Sequence, residues 1–503
     1  MSGERQGTQL FWGDLHNHCS VGLFHHAKGS LERAIDIAQT HLDFFAFTGH
    51  SQWHDMPTMV QDAHVKWQEG FDWHTEHWPK TKELIRAANR PGGFVAFLGY
   101  EWHSAEFGDR CIVFPDDDGD LLITPKLAEL EAYAKEAGAL LCPHHIGYKT
   151  LLPGRGLNWE HFNPARSPVI EIVSEHGCAE RDRGLWPYIS HSNGPCTTNN
   201  TYQHALAMGL HCGVAGGSDD HLGFPGAYGE GIIGVYASAL TREALLDAIW
   251  KRRTLASTGD RITIEFGLND GIVGDILPPT DTREIRVAVK AWDEIDKIEL
   301  IKNNRVIHRH FIDETASVDR PGKALLRVEY GWGPWSAFGM PRTADWDTSL
   351  ILTNAKISAW QPCLQCSPFD EGRRHRLTPE GTGRFHWQSY TARQDAYREV
   401  PTNAIVFEIE GDGTGSAELT FMAPSERRFT YTLSDLAHSS QIEFMGDFPC
   451  ESILVHRLVP EPAYAASFTL KDTPSGDGED FYYVRVTESN GHMAWCSPIW
   501  VEA

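Results

Sequence analysis

Residues 94–101 read FVAFLGYE, a short apolar run that stops at a carboxylate. Such a run suits a strand that is buried on both faces, as in a sheet covered by helices. Five more runs of this kind lie in the first half of the chain, at residues 10–15, 43–48, 139–143, 169–173 and 211–215. In a parallel sheet the functional groups gather at the carboxyl ends of the strands, so Glu101 marks the edge where a site is expected.

Segments with helical periodicity alternate with these runs. Residues 30–42 carry an apolar stripe behind an N-cap serine, a second helix is expected over 124–138, and a third begins at Thr241. Strands that alternate with helices predict an α/β fold over residues 1–260, either a barrel or a wound sheet.

The pattern changes in residues 261–503. Runs such as ITIEFGL, IRVAVKAW and FYYVRV alternate partly with a period of two, and helical periodicity nearly disappears. This predicts a mostly-β, sandwich-like C-terminal region. The segment GDGTG at residues 411–415 is interpreted as a turn between two strands, because it lacks the Lys-Ser/Thr of a phosphate-binding loop.

Composition limits the classes of partner. The chain has 503 residues, 22% of them charged, and a net charge of −24, which argues against nucleic acid or anionic membrane as the main partner. The first ten residues lack the apolar core of a secretory signal, so a cytoplasmic location is expected. The ten cysteines are expected to be reduced, and the lone pair Cys363 and Cys366 is not interpreted as a zinc site.

Histidine is concentrated in the first half, where 19 of the 26 lie within residues 1–260. Each of the six apolar runs is followed by metal-ligating residue types, which are His16 and His18, His50, Glu101, His144, His176, and Asp219 with His221. Each motif alone also fits a solvated strand end or a core histidine. Together they favour a metal site, because ionisable groups gathered at one rim repel each other unless cations offset them.

The order of these residues resembles the PHP (polymerase and histidinol phosphatase) superfamily of metal-dependent phosphoesterases. The resemblance is carried by DLHNH, FTGH, GYE, CPHH, SEH and GSDDH and covers about residues 10–260. The tail YYVRVTESNGHMAWCSPIWV is similar to the end of a long branch with an added β-domain. The resemblance implies a distorted (β/α)7 barrel that holds two or three divalent ions, with Zn, Mn and Fe all compatible with the ligand types.

The resemblance also implies a ligand set. One ion is bound by His16, His18 and Asp219 with a bridging Glu101. A second is bound by His144 and His176, which share Glu101.

A third ion is implied at His50 and His221 with a histidine from the loop after DLHNH. Both His25 and His26 are candidates for that ligand, and His26 is favoured by its spacing from the helix at residue 30. The usual TDH triplet reads Thr48-Gly49-His50 here, so the acidic neighbour that would orient His50 is missing.

The leading hypothesis is a metal-dependent hydrolase of a small phosphomonoester or phosphodiester that uses a metal-bound hydroxide. The catalytic candidates are Glu101, Asp219 and His221, of which the last two are candidates for protonating the leaving oxygen. Hydrolysis of an amide, lactone or sulfate ester is an alternative. A binding protein with an inert barrel is the alternative from another class.

Residues 51–90 are rich in tryptophan and histidine and form either a lid over the metals or a surface insertion pinned by its aromatic side chains. Candidate substrate contacts are side chains that lie in this segment or follow the motifs, namely His25, Trp53, His103, Lys149, Arg155 and Arg181. A homo-oligomer formed through the β-rich region is a further possibility that the sequence leaves open.

Overall fold

The computed structural model describes residues 7–20, 28–152, 154–188, 194–312, 322–365, 369–393, 401–476 and 478–503. The fold is mixed α/β with much sheet. The elements of the first half, in chain order, are β1 (Gln9–Asp14), α1 (Leu31–His41), β2 (Phe44–Phe47), α2 (Ala63–Ala88), β3 (Val95–Trp102), β4 (Arg110–Val113), α3 (Leu127–Glu136), β5 (Leu140–Pro143), β6 (Val169–Ser174), β7 (Gly177–Cys178), α4 (Tyr202–Ala207), β8 (Gly213–Gly216), β9 (Ile232–Ala237), α5 (Arg242–Trp250) and β10 (Thr254–Ser257).

Each of the six apolar runs forms a strand, and the three predicted helices form as α1, α3 and α5. Side-chain caps begin two of them. The hydroxyl of Ser30 accepts from the backbone N–H of Arg33, and that of Thr241 accepts from Ala244. These caps satisfy backbone donors that have no partner inside the helix.

The sheet topology is only partly parallel. Strands β1, β2 and β3 are parallel neighbours, but β4 lies antiparallel between β3 and β5. The connection from β3 to β4 is too short for a helical crossover, so the chain reverses direction there. Strands β6 and β8 pair in parallel in a separate small sheet with β7. The mixed α/β class is confirmed, whereas a ring of seven βα units is not.

The second half is built almost wholly from strands. Its elements are β11 (Thr263–Leu268), β12 (Gly271–Ile272), β13 (Ile276–Leu277), β14 (Arg283–Lys290), β15 (Ile295–Lys302), β16 (Arg305–His310), β17 (Lys323–Gly331), β18 (Thr343–Cys363), β19 (Arg376–Pro379), β20 (Arg384–Ala392), β21 (Asn403–Ala423), β22 (Arg427–Thr432), α6 (Leu433–Leu436), β23 (Gln441–Phe444), β24 (Ser452–Val455), β25 (Val459–Pro460), α7 (Glu461–Tyr464), β26 (Ala465–Asp472), β27 (Asp480–Glu488), β28 (Met493–Cys496) and β29 (Ile499–Val501).

Two packing units are visible among these strands. The sheet β12-β11-β14-β26 shares one apolar core with β15, β27 and β28, to which Phe266 and Trp495 both contribute. The nine-stranded sheet has a core of its own around Trp346, Trp387 and Phe407. Sheets that share a core in this way are sandwich-like.

The prediction of a turn at residues 411–415 is wrong. Strand β21 continues through this segment and pairs with β18 on both sides of it. The register places Ser416 opposite Thr353 but Gly411 opposite Ala355, so the intervening residues form a bulge. Gly413 has a φ of 73°, and a Cβ at Gly411 or Gly415 would collide with a carbonyl oxygen of β18, so the bulge requires glycine at these positions.

The end of the chain returns to the first half. Strand β28 pairs with β10, so one sheet runs across the predicted boundary at residue 260. The division into residues 1–260 and 261–503 stays a prediction. Within the described part of the chain, none of the helices combines the length and the apolar character that crossing a bilayer requires.

A buried ion cluster joins the two halves, and its loss should destabilise the fold. The Arg485 guanidinium is 2% exposed and donates to both Glu180 oxygens at 2.7 and 2.8 Å and to Glu299 at 2.6 Å. After Arg485→Met, the buried Glu180 and Glu299 carboxylates keep only the more exposed guanidiniums of Arg181 and Arg309 as cationic partners, so we expect the free energy of unfolding to fall by about 3 kcal/mol in urea denaturation. The control Arg428→Met, at a side chain 68% exposed and outside this cluster, should change it by less than about 0.5 kcal/mol. A loss below about 1 kcal/mol for Arg485→Met would contradict this account.

Candidate metal centre

The side chains that follow six strands converge on one buried site. Backbone hydrogen bonds tie the strand ends together, since Asp219 N–H donates to the His16 carbonyl at 2.7 Å and Ser51 N–H to that of Glu101 at 2.9 Å. The candidate ligands His16, His18, His50, Glu101, His144, His176 and Asp219 are all buried. The sequence signal at the strand ends therefore corresponds to a real cluster.

Asp219 is the first centre of this cluster. Its Oδ1 lies 2.9 Å from His18 Nε2 and 3.1 Å from His16 Nε2, and its Oδ2 lies 3.0 Å from His176 Nε2 and 3.5 Å from His145 Nε2. Asp219 has a φ of 57°, in the left-handed region that non-glycine residues rarely adopt. Backbone strain of this kind is concentrated at functional sites.

Glu101 is the second centre. Its Oε1 lies 2.7 Å from His144 Nε2, and its Oε2 lies 2.5 Å from His50 Nδ1 and 3.7 Å from His18 Nε2. His18 thus contacts both carboxylates and links the two halves of the site. The structure places His176 on Asp219, whereas the resemblance implied that it shares Glu101 with His144.

Three imidazole rings of the cluster are oriented by side chains that lie outside it, which we call the outer groups. Nδ1 of His16 lies 3.0 Å from Glu171 Oε2, and Nδ1 of His176 lies 2.6 Å from the Tyr148 hydroxyl. Nδ1 of His144 likewise lies 3.6 Å from Cys111 Sγ. In each ring Nδ1 is held from outside while Nε2 points at a carboxylate, which is how proteins fix metal-binding imidazoles.

Burial and neighbouring charges set the protonation states. Burial lowers the pKa of His18 to about 3 and that of His50 well below its ordinary value. Burial alone would raise the pKa of the Glu101 and Asp219 carboxyls, but the surrounding imidazoles hold both well below their usual range. The neighbouring carboxylates instead raise the pKa of His16, and that of His144 rises to about 10, so the metal-free site holds ionised carboxylates beside both neutral and protonated imidazoles. Metal binding would displace those protons.

Several imidazole nitrogens lie close together at positions where a bound cation would accept their lone pairs. Nε2 of His16 and His18 lie 3.3 Å apart, and Nε2 of His50 and His221 are separated by the same distance. Among the described residues, Nδ1 of His18 and of His145 is buried without a hydrogen-bond partner. The ligand atoms of His18, His50 and His221 lie within 4.8 Å of one another, as do those of His16, His18 and Glu101. Imidazole and carboxylate donors at this spacing are suited to divalent metal ions.

The predicted substrate contacts separate into two groups. Trp53 and His103 lie at the centre, with ring centroids 5.6 Å apart, and the Arg155 guanidinium stacks over Trp53 at 4.1 Å. Lys149 is exposed, and Arg181 lines a different cavity of about 300 Å³ together with Arg183, Lys297 and Arg485. His25 and His26 lie outside the described residues.

The segment at residues 51–90 packs against the centre. Helix α2 buries Phe71, His74 and Trp78, and Nδ1 of His74 lies 2.8 Å from the His50 carbonyl oxygen. The Trp67 ring lies 5.6 Å from that of His50. The aromatic side chains therefore pin this segment to the site, and its movement as a lid stays a prediction.

Sequence reasoning missed most of the supporting residues. The signal for Glu171 was a charge inside the apolar run VIEIV, and His145 adjoins a predicted ligand. Cys111 and Tyr148 carried no signal, because their roles depend on contacts with residues 33 and 28 positions away.

Loss of an outer group should weaken metal binding without removing a ligand. Tyr148→Phe deletes the hydroxyl beside His176 Nδ1, so we expect metal affinity to fall about 10- to 100-fold in a chelator-competition titration. Tyr133→Phe, which deletes a hydroxyl bonded to the Asp120 backbone, is the matched control and should leave affinity unchanged. Equal affinities for the two variants would show that Tyr148 does not orient the ligand.

Comparison with known proteins gives limited matches. Residues 204–275 match a family model described as "Protein of unknown function (DUF3604)". An uncharacterized protein of Chlamydia trachomatis is 30% identical over 30% of this chain and 27% of its own length. An uncharacterized protein of Chlamydia muridarum is 28% identical over 31% of this chain and 28% of its own length. This chain therefore spans about a quarter of the length of these curated relatives.

Among solved structures, a two-domain protein from Bacteroides vulgatus ATCC 8482 aligns with 85% of this chain and 96% of its own. It is described as containing a predicted PHP-like metal-dependent phosphoesterase. The identity is 13% and the TM-score 0.33, which is too low to carry an argument about fold or function.

Proposed function

We propose that this protein is a metal-dependent hydrolase of a small phosphomonoester or phosphodiester. One observation carries the proposal. Two buried carboxylates, Glu101 and Asp219, are surrounded at 2.5–3.7 Å by imidazoles from separate strand ends, which are His16, His18, His50, His103, His144, His145 and His176. So many carboxylates and imidazoles in one buried site are stabilised by cations, which neutralise the carboxylate charge and accept the imidazole lone pairs.

The residues divide into neighbouring metal positions. Asp219 with His16, His18 and His176 supports one position, and Glu101 with His144 supports the next. Divalent ions bound here would activate water near neutral pH and neutralise charge that develops on phosphoryl oxygens. The proposal retains the PHP-type arrangement as its working description, with the antiparallel strands β4, β9 and β10 as departures from a simple βα ring.

The chain's own residues hold and shield this site. Glu171 and Tyr148 fix His16 and His176 with Nε2 inward, which sets the direction of their lone pairs. Trp53 and Trp67 cover the side at His103 and His50, where they exclude water and offer aromatic faces to an organic leaving group.

The two candidates for proton delivery differ in their surroundings. Both oxygens of Asp219 face imidazoles, so its carboxylate acts as a ligand in this arrangement. His221 presents Nδ1 to the Asp219 carbonyl oxygen at 2.7 Å and Nε2 to His50 Nε2 at 3.3 Å. This orientation favours metal ligation by His221 over proton donation.

Metal analysis followed by an ester screen tests the proposal. After Zn, Mn or Fe is restored, we expect turnover of chromogenic phosphate mono- or diesters in preference to lactone, amide and sulfate-ester substrates. His16→Ala should lose both metal and turnover, while the control His161→Ala, at an exposed ring, should retain both. Wild-type protein that binds no metal would contradict the proposal, and turnover confined to a lactone, amide or sulfate ester would replace the phosphate assignment.

A further inference from the structure

We infer that a cavity between the two packing units of the β-rich half binds a small zwitterion, namely a free amino acid with an apolar side chain. The cavity has a volume of about 200 Å³. At about 30 Å³ per water it holds roughly six or seven waters, which is room for one molecule of the size of leucine. None of its described lining residues belongs to the candidate metal centre, so this inference goes beyond the proposed function.

The walls of the cavity come from separate elements. Trp292 and Asp293 lie in the connection from β14 to β15, and Arg327 lies on β17 opposite Val406 of β21. Leu325 is on the same face as Arg327, because side chains two residues apart on a strand share a face. The lining is therefore aromatic and aliphatic with a few charged groups, which is the usual composition of a small-molecule site.

Arg327 carries guanidinium N–H donors that the protein does not fill. The side chain is 16% exposed, and its Nε lies 3.8 Å from Glu329 Oε2. Its Nη1 lies 3.5 Å from the Tyr228 hydroxyl and 3.9 Å from Cys363 Sγ, both long contacts. Both Glu329 oxygens already have closer hydrogen-bond partners at 2.8 Å. The planar fork of a guanidinium suits a carboxylate, so Arg327 is the group that would bind the carboxylate of a ligand.

Asp293 is the acidic group of the cavity. Its Oδ1 accepts from the Glu294 backbone N–H at 2.7 Å, and among the described residues Asp293 forms no ion pair. Burial raises the pKa of the Asp293 carboxyl, because the positive charge of Arg327 does not offset the lost hydration. A carboxylate that has lost water without gaining a cation is stabilised by an ammonium group placed beside it.

The other charged side chains at the cavity are already paired. They are Arg457 with Glu294 at 3.4 Å, and His456 with Glu329 at 2.8 Å. Arg327 and Asp293 remain, with opposite charges in one cavity and, within the described part of the chain, no ion pair between them. An amino acid offers a carboxylate to one and an ammonium to the other, and its apolar side chain packs against the aliphatic wall. A simple carboxylate or a simple amine would leave one of the two without a partner.

L-Leucine and two analogues that each lack one charge test this chemistry. Isothermal titration calorimetry of the full-length protein compares L-leucine with isocaproate, which lacks the ammonium group, and with isoamylamine, which lacks the carboxylate. We expect L-leucine to bind with a Kd below about 1 mM. Both analogues should bind at least about 30-fold more weakly, because each leaves one charged group of the cavity unpaired.

Variants connect the binding to the two charged groups. Asp293→Asn keeps the side-chain volume, so it should weaken L-leucine at least about 30-fold and remove the preference for L-leucine over isocaproate. Arg327→Met should weaken L-leucine to a similar extent. The controls Asp281→Asn, at an exposed side chain, and Arg428→Met, at one that is 68% exposed, should bind as wild type does. Thermal unfolding establishes that each variant is folded, and Asp293→Asn keeps the test decisive if Arg327→Met does not fold.

Three results would overturn the inference. Binding of L-leucine to wild type with a Kd above about 1 mM would show that the cavity holds only water. Equal affinities for L-leucine and isocaproate would show that Asp293 does not select an ammonium group. Unchanged binding in both variants would place the ligand elsewhere on the protein. None of these measurements involves metal content or ester turnover, so each result leaves the proposed function intact.

Discussion

Glu101→Gln is expected to lower kcat/KM for phosphate-ester hydrolysis about 10³-fold, equivalent to about 4 kcal/mol of transition-state stabilisation. Glu101 contacts His50, His144 and His18 with its two oxygens, so a neutral amide removes the negative charge that links neighbouring metal positions. The amide N–H₂ of glutamine is also a donor only, so at one of the two oxygen positions it cannot bind a cation or accept from an imidazole N–H. Steady-state kinetics with metal-loaded protein, together with metal content per chain, measures the effect.

Glu106→Gln is the matched control for this substitution. Glu106 lies five residues further along the chain and is exposed, so loss of its charge should leave metal content and kcat/KM unchanged. If Glu101→Gln retained the full metal content and near-wild-type kcat/KM, Glu101 would be a structural residue of the cluster and the assignment of a bridging carboxylate would be wrong.

Chelation is expected to abolish activity completely and to lower the melting temperature. Without cations, the cluster retains ionised Glu101 and Asp219 and several inward-facing imidazole lone pairs in a buried environment. Ions that bind the native state but not the unfolded state stabilise it by about 2.7 kcal/mol at 100 times the dissociation constant, and more above that. Differential scanning calorimetry and ester turnover, recorded before and after chelation, measure both effects.

Readdition of metal distinguishes activity lost through removal of the metal from activity lost through irreversible unfolding. Zn, Mn or Fe added in stoichiometric amounts should restore both the melting temperature and turnover, and the better metal identifies the native one. The same treatment of His16→Ala should restore neither in full. Activity that persists in wild-type protein with substoichiometric metal would contradict a metal-dependent mechanism.

The local elements of the fold were predictable because their signals are local. Apolar runs of four to eight residues form β2, β3 and the second half of β1, since their side chains can be buried on both faces. Serine and threonine at 30 and 241 begin helices since their hydroxyls satisfy backbone donors within three residues. The bulge at 411–415 was mistaken for a turn because glycine-rich segments suit both, and only the partner strand β18 distinguishes them.

Within the site, the side chains that gather at the strand ends were predictable and their pairing was not. His16, His50, Glu101 and Asp219 follow apolar runs, and this pattern is visible along the chain. Whether His176 contacts Asp219 or Glu101 depends on how strand β6 sits beside β8, which no stretch of sequence specifies.

The sequence by itself determined the six apolar strands, helices α1, α3 and α5, and the residue types that gather at the strand ends, because burial, capping and ligand chemistry act over a few neighbouring residues. The long helix α2 was not among its predictions. The tertiary structure alone decided the direction of β4, the return of β28 to β10, and the outer contacts of the imidazoles. Glu171 reaches His16 across 155 positions of the chain. Contacts of that range follow from the packing of the whole chain, so they appear only once it is folded.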